Sequence, residues 1–254
     1  MIVDELGADF YLINLPADDR LPIFEHGRSG LQFRLIPGGE FLLGMTEEQE
    51  RLARLIADPP PITLSELRPV KKCTLNMFLL GVTPVPWNIC QRLLPDISKP
   101  KYAAEQSPAS LARSQWTDLA KVLGCRLPTE EEWEYSCKAQ GTDLFPWGNS
   151  LPTPEVLGRW LSLDLSDLSK LEPNQFGLYG LFTGEWCHDD YKTSHEIDAE
   201  VVRGSYVVKG GGAQWWPWQA EEWVWCIPSM RMPSKDLIDG TCGCRLVVNR
   251  TVEK

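Results

Sequence analysis

Alternation of apolar and polar side chains indicates strands in the first third of the chain. Residues 31–36, Leu-Gln-Phe-Arg-Leu-Ile, alternate and run into Pro37-Gly-Gly, a strand pattern closed by a turn pattern. Residues 40–45 follow as a return strand, so the pattern predicts a hairpin. Further runs predict a short element over residues 10–15 and a strand over residues 70–78.

Two capping boxes predict the starts of helices. Thr46 stands three residues before Gln49, at the head of a stretch whose apolar residues recur every three to four positions. Thr129 stands three residues before Glu132 in the same way. In each pair the threonine hydroxyl can accept from a first-turn amide, while the longer side chain returns to the threonine amide. We therefore predict helices over residues 46–57 and from Thr129 onward.

A third amphipathic helix is predicted over residues 110–123, where apolar residues share one face. Beyond residue 140 the chain is rich in Gly, Pro, Asn and Trp, so short elements and long loops are expected there. A fold with long loops needs large apolar side chains to fill its interior. Trp133, Trp147 and Trp186 are therefore predicted to be core aromatics.

Composition narrows the classes of partner. The 254 residues carry a formal net charge of −10, which disfavours contact with phosphate backbones and anionic lipid, so neither nucleic acid nor a membrane is an expected partner. The N-terminus shows no basic start followed by an apolar run, and no apolar stretch is long enough to span a bilayer. We expect a cytoplasmic protein whose eight cysteines are reduced and mostly buried.

Several segments, taken in order, resemble one family. They are residues 33–45 (Phe-Arg-Leu-Ile-Pro-Gly-Gly-Glu-Phe-Leu-Leu-Gly-Met), 78–85, 125–135 (Cys-Arg-Leu-Pro-Thr-Glu-Glu-Glu-Trp-Glu-Tyr), 145–149, 173–180, Glu185-Trp186, 208–211 and 243–247. The family is the formylglycine-generating-enzyme-like, or sulfatase-modifying-factor, domain. The resemblance implies a compact α+β fold, low in regular structure and related to C-type lectins. We expect an N-terminal extension, residues 1–30, packed on a domain of residues 31–254.

The resemblance also implies where catalysis would lie. The family's enzymes oxidise a substrate cysteine with molecular oxygen and a Cu(I) held by two cysteine thiolates, which are soft ligands suited to that ion. Carried onto Lys209-Gly-Gly-Gly, the two cysteine positions hold Trp215 and Ala220, and no cysteine lies between residues 188 and 225. No catalytic residue is therefore assigned. The chain is predicted to be a non-catalytic (pseudoenzyme) or catalytically diverged member, and whether it is an enzyme stays open.

Metal sites are considered at two further places. Cys226, Cys242 and Cys244 match no common zinc spacing. Residues 187–196 hold good ligand types, and Asp189, Asp190 and His195 are the first candidates if a metal binds. The favoured interpretation is that this run forms a solvated acidic loop, since charged runs usually face water. We therefore expect no cofactor, with calcium or a transition metal as the open alternative.

Function is predicted from a run of tryptophans. Five of the eleven tryptophans fall within residues 215–225, where the family's active site would be. Exposed tryptophans supply large contact areas at low entropic cost, so this face is predicted to bind a protein or peptide partner. Equally, these side chains could fill the volume that a lost active site leaves. The predicted contact residues are Trp215, Trp216, Trp218, Glu221, Trp223 and Arg231.

Two other functions are kept as alternatives. One is a metal-dependent oxidase of unknown substrate that uses a different ligand set. The other is a retroelement-diversified ligand-binding protein, since such proteins use this fold and vary near its C-terminal segment.

Overall fold

The computed structural model describes residues 9–14, 21–58, 60, 67–161, 163–211, 222–237 and 242–248. These residues form an α+β fold of three sheets and short helices, as predicted. The α-helices within these ranges are α1 (Glu47–Ile56), α2 (Trp87–Leu93), α3 (Arg113–Val122), α4 (Glu130–Lys138) and α5 (Pro154–Leu161). Within the described residues, no helix is both long enough and apolar enough to cross a bilayer.

The largest sheet has six strands and includes the N-terminal segment. Its strands, in spatial order, are β1 (Phe10–Asn14), β2 (Ile23–His26), β3 (Gln32–Ile36), β6 (Phe78–Gly81), β12 (Val247–Val248) and β7 (Cys125–Arg126). Strands close to both ends of the chain therefore meet in one antiparallel sheet, with Val247 opposite both Leu80 and Arg126. Among the described N-terminal residues, β1 pairs with β2 and β2 pairs with β3.

The second sheet carries the candidate site. It has four strands in the order β10 (Met232–Lys235), β9 (Val201–Lys209), β8 (Gly184–Lys192) and β11 (Cys242–Gly243), and only β11 runs parallel to its neighbour. The buried residues of β8 and β9 lie mainly where the start of β8 pairs with the end of β9, with Glu185 opposite Lys209. The long β9 thus ends in the interior, where the buried side chain of Lys209 contacts α4.

The hairpin predicted at Pro37 is wrong. β4 (Gly39–Leu43) pairs with β5 (Lys71–Leu75) and not with β3. Neither Gly38 nor Gly39 has the positive φ that a tight hairpin turn requires. Instead the pairing of Ile36 with Phe78 continues without slip to Gly39 opposite Leu75, so the chain bends between two sheets. The strand predicted over residues 70–78 is divided at the same bend.

The predicted helix starts are confirmed. The Thr46 hydroxyl accepts from the Gln49 amide and the Thr129 hydroxyl accepts from the Glu132 amide, and both reciprocal side-chain bonds are present. The helix predicted over residues 110–123 is α3, whose apolar face is buried in the main core. Local hydrogen-bond chemistry determines these starts, which is why the sequence alone identifies them.

Thr129→Ala should lower the free energy of unfolding by about 1 kcal/mol, because the Glu132 amide loses its acceptor at the head of α4. Urea denaturation measures the change. Thr129→Ser keeps the hydroxyl and serves as the matched control. Equal stability of the alanine and serine variants would contradict a capping role.

Candidate functional site

The turn after β9 requires glycine. Gly210 and Gly211 have φ of +73° and +127°, and a Cβ on Gly210 would lie 2.4 Å from the Thr183 carbonyl oxygen. The Gly211 amide donates to the Phe182 carbonyl at 3.3 Å. Residues 212–221 lie outside the described residues. The predicted contact residues Trp215, Trp216, Trp218 and Glu221, and the copper position Ala220, therefore stay predictions.

Beneath this turn, Glu134 is the centre of a buried charge cluster, formed by Glu130, Glu134, Lys138, Lys209, Arg231 and His195. Glu134 Oε1 accepts from the Gly44 amide and from Lys138 Nζ, both at 2.7 Å, and Oε2 accepts from Lys209 Nζ at 2.8 Å. Burial disfavours the charged carboxylate, but the two ammonium groups outweigh it and lower the pKa of Glu134 to about 2.

Glu130, one helical turn before Glu134, contacts three other members of the cluster. Its Oε2 accepts from Arg231 Nη2 at 2.9 Å, and its Oε1 lies 3.6 Å from Lys209 Nζ and 3.5 Å from His195 Nε2. Burial alone would raise the pKa of this carboxyl, but Lys209, His195 and Arg231 together lower it. The Glu130 amide, at the first turn of α4, donates to Asp189 Oδ2 at 2.7 Å.

Arg231 was predicted to contact a partner, but its side chain is buried in the structure. Its side chain is 2% exposed, pairs with Glu130 and lies over the Tyr191 ring at 4.8 Å. Sheet pairing explains this burial, because Met232 lies opposite Val208 and so brings Arg231 beside Lys209. Arg231 is a buried member of the charge cluster.

Three groups of the cluster, Glu130, Glu134 and Lys209, are held in their charged forms at neutral pH. Glu130 and Glu134 are ionised because their pKa values are lowered. Lys209 remains an ammonium because the two carboxylates outweigh burial and raise its pKa. A group that stays charged in this way is neither a general base near pH 7 nor an amine nucleophile. The network fastens α4 to β9 and to the start of β10.

A second buried ion pair involves two residues of the family-like motifs. Arg245 donates from Nε to Glu185 Oε2 and from Nη2 to Oε1, each at 2.7 Å, and Trp133 Nε1 donates to Oε2 at 3.0 Å. Both charged side chains are fully buried. The Glu185 carboxylate thus accepts from Arg245 and Trp133, and its Oε1 also accepts from the Thr183 hydroxyl at 3.3 Å.

The cysteines are buried free thiols, as predicted. Burial raises the pKa of Cys73 and Cys125 to about 12, and raises those of Cys137, Cys187 and Cys244 well above their ordinary value. A thiol with such a pKa carries almost no thiolate at neutral pH, which is the form that binds Cu(I) or attacks a substrate. None of these five thiols is therefore activated.

The candidate cysteine ligands are also separated in space. Cys226 lies in the part of the core around Trp160 and Phe182, whereas Cys242 and Cys244 lie in the part around Trp116. Within the described residues, no group of three or more His, Cys, Asp and Glu side chains is placed to hold a metal ion.

The acidic run is a strand over residues 187–192, whereas residues 193–196 lie in a loop, as predicted for the whole run. Residues 187–192 continue β8, in which successive side chains face opposite sides. Asp190 is exposed, while Asp189 is partly buried against α4, and burial raises its pKa. His195 lies in the β8–β9 connection, with its ring against Gly44 and Glu130. The structure therefore does not bring Asp189, Asp190 and His195 together, and metal binding by them stays a prediction.

An aromatic pocket of about 320 Å³ lies beside the glycine turn, and sequence reasoning missed it. Its wall includes Trp147, Leu151, Val156, Trp160, Leu171 and Phe182. Trp160 stacks on Phe182 with ring centroids 4.1 Å apart, and Trp147 meets the edge of Trp160 at 5.0 Å. The tryptophans of the Pro-Trp-Gly motif and of α5 were the available signal, but only the tertiary fold places them together.

Trp223 supports this wall from behind and is not a surface contact. Its side chain is buried and meets the edge of Phe145 at 6.1 Å, and Phe145 in turn stacks on Trp147 at 5.2 Å. Trp223 therefore fills the core in this structure, and its predicted contact with a partner stays a prediction. Trp133 and Trp186 are core aromatics as predicted, whereas Trp147 is only partly buried.

Comparison with known proteins gives a consistent picture of the fold. The profile of the sulfatase-modifying factor enzyme 1-like domain matches residues 101–250, more than half of the chain. The formylglycine-generating enzyme of Mus musculus is 32% identical over 123 residues, which cover 39% of this chain and 33% of that protein. The serine/threonine-protein kinase pkn1 of Chlamydia pneumoniae is 28% identical over 215 residues, 70% of this chain and 32% of the kinase.

Among solved structures, PvdO from Pseudomonas aeruginosa superimposes with a TM-score of 0.66 over 91% of this chain and 99% of its own, at 15% identity. At that identity the likeness concerns the fold alone. The chain spans about a third of the length of the curated relatives it matches. The match over residues 101–250 places the chain in the sulfatase-modifying factor enzyme 1-like, or formylglycine-generating-enzyme-like, domain family.

Proposed function

We propose that this chain is a non-catalytic member of its family that binds a protein or peptide partner. The observation that carries the proposal is the loss of the copper-binding pair, since Trp215 and Ala220 occupy the positions that the resemblance assigns to the two cysteines. Neither the indole of a tryptophan nor the methyl group of an alanine offers a soft ligand to Cu(I).

The remaining chemistry of the described residues supports the same proposal. The thiols whose titration is perturbed are protonated by burial, and the carboxylates of the charge cluster are held ionised by fixed cations. Neither these thiols nor these carboxylates change protonation near neutral pH, so neither group supplies an activated nucleophile or a general acid there. The same fold can serve binding as well as catalysis, because function depends on the site that a fold carries.

The aromatic pocket favours binding as the retained activity. It is preformed by packed rings, so a ligand entering it meets little ordering cost. It adjoins Gly211 through the Gly211–Phe182 hydrogen bond, and so lies next to the point where the tryptophan-rich segment begins. In this proposal a partner contacts both the pocket and the predicted residues Trp215, Trp216 and Trp218.

The purified chain, titrated with Cu(I) against a competing chelator, is expected to take up no stoichiometric copper. With copper and a cysteine-containing peptide, it is expected to consume no oxygen above the chain-free rate. The formylglycine-generating enzyme is the positive control for both assays. One equivalent of bound copper together with oxygen uptake would overturn the proposal and favour the oxidase alternative.

A further inference from the structure

We propose that the aromatic pocket binds one planar aromatic side chain of the partner. This inference deepens the proposed function and rests on it for the identity of the partner as a peptide. The pocket and its wall residues are otherwise independent of the segment that carries Trp215 and Ala220.

The volume of the pocket is large enough for a single aromatic side chain. Ligand pockets for whole small molecules and cofactors occupy roughly 300–1,000 Å³, and a volume of about 320 Å³ lies at the lower limit of that range. An indole, phenol or phenyl group fits such a volume. The rest of a peptide would then lie outside, along the surface.

The wall favours a flat ring over a branched aliphatic group. Trp147, Trp160 and Phe182 present rings in edge-to-face and stacked arrangements to one another, and a further ring can continue this array. Aromatic pairs gain energy from the quadrupoles of their π systems in addition to the buried area. Leu151, Val156 and Leu171 supply apolar contacts on the remaining sides.

The polar groups around the pocket favour a neutral ring. Trp147 Nε1 already donates to the Ser150 carbonyl at 3.1 Å, and the Thr153 hydroxyl accepts from the Val156 amide at 3.4 Å. Lys170, at the rim, pairs with Asp167 at 2.9 Å in an exposed ion pair. Arg159 and Glu172 also line the pocket, and both are exposed. Exposed charges contribute little binding energy because water screens them, whereas a hydroxyl or indole N–H can reach the rim and water.

The wall is rigid enough to discriminate. Trp160 and Phe182 are each 7% exposed, and Phe145 and Trp223 pack behind Trp147 in the same part of the core. Preformed aromatic pockets that receive an aromatic anchor are typical centres of binding energy in peptide recognition. The geometry thus assigns the anchor position of the partner to Trp, Tyr or Phe.

The test measures binding of N-acetyl-tryptophanamide and N-acetyl-leucinamide to the whole chain by isothermal titration calorimetry. We expect saturable binding of the tryptophan probe and about fivefold weaker binding of the leucine probe, from the loss of ring–ring interaction. Val156→Trp fills the pocket and should lower the affinity of the chain for the tryptophan probe by roughly tenfold or more. Val201→Trp, at a half-exposed site on β9, is the matched control and should bind as the wild type does.

Leu151→Arg provides a second variant, because Leu151 is 41% exposed at the pocket and tolerates a charge without loss of the core. Thermal unfolding of every variant confirms that the fold is retained. Binding of the probe that is unchanged in both Val156→Trp and Leu151→Arg would overturn the inference, as would equal affinity for the two probes.

Peptide display separates this inference from the proposed function. Enriched peptides that share an aromatic residue and lose binding to Val156→Trp support both. Enriched peptides without an aromatic residue, bound equally by Val156→Trp, would overturn the pocket inference and leave the binding function standing. Probe binding with no enriched peptide would contradict a peptide partner and leave the pocket assignment standing.

Discussion

Replacing Arg245 with methionine is expected to lower the free energy of unfolding by about 3–5 kcal/mol. The substitution removes both bonds to Glu185 and the bonds that Arg245 donates to the carbonyl oxygens of Gly81, Val82 and Tyr179. Glu185 would then be a wholly buried carboxylate that has lost its ion-pair partner among the described residues. Urea denaturation followed by tryptophan fluorescence measures the loss.

Two controls define the cause of that loss. Arg51→Met removes an ion pair with Glu48 whose side chains are both more than half exposed, and it should leave the free energy of unfolding nearly unchanged. The double variant Arg245→Met with Glu185→Leu removes both buried charges and should recover part of the stability. An Arg245→Met variant as stable as Arg51→Met would contradict the buried-pair account.

Lys209→Met is expected to cost a similar amount, about 3–5 kcal/mol, because it takes one of two cations from Glu134 and the nearest ammonium from Glu130. Lys138 alone would then balance Glu134. The folded-state pKa of Glu134 should rise in this variant, since one of the two groups that lower it is missing. Urea denaturation at pH 7 and at lower pH values tests both effects.

The pH dependence of the wild-type chain has a defined sign. The pKa of Glu134 falls from 4.5 in the unfolded chain to about 2 in the fold, so the stability it supplies is complete above pH 4.5 and is lost as the pH falls towards 2. The contribution is about 3 kcal/mol. Glu134→Gln cannot titrate and should show a flatter stability profile between pH 4.5 and 2. A profile as steep as that of the wild type would exclude Glu134 as the source.

Much of the candidate site was hidden from the sequence because its groups are brought together by pairing of distant strands. Lys209 and Arg231 are neighbours only through the register of β9 with β10, and their carboxylate partners come from α4, some seventy to a hundred residues earlier. Arg231 was therefore predicted at the surface. The pocket likewise joins residues from α5, from the Pro-Trp-Gly turn and from the segment before β8.

The misplaced elements have the same origin. Residues 37–39 carry a good turn pattern, but Gly38 packs against the β5–β6 connection and the chain passes to another sheet, which no local pattern expresses. Residues 187–190 are polar enough to suggest a solvated loop, yet the strand pairing of β8 buries Cys187 and half-buries Asp189. Tertiary pairing overrode local polarity in both places.

The sequence by itself determined the family-like order of motifs, the two capping boxes, the buried state of the cysteines and the absence of the copper-binding pair. These features depend on residue identity and on contacts within a few positions, which a linear pattern records. Only the tertiary structure decided which charges share a buried cluster, that Trp223 and Arg231 are interior, and that separate aromatic residues enclose a pocket. Those arrangements depend on strand register and core packing between distant segments, and their free energy exists only once the chain has folded.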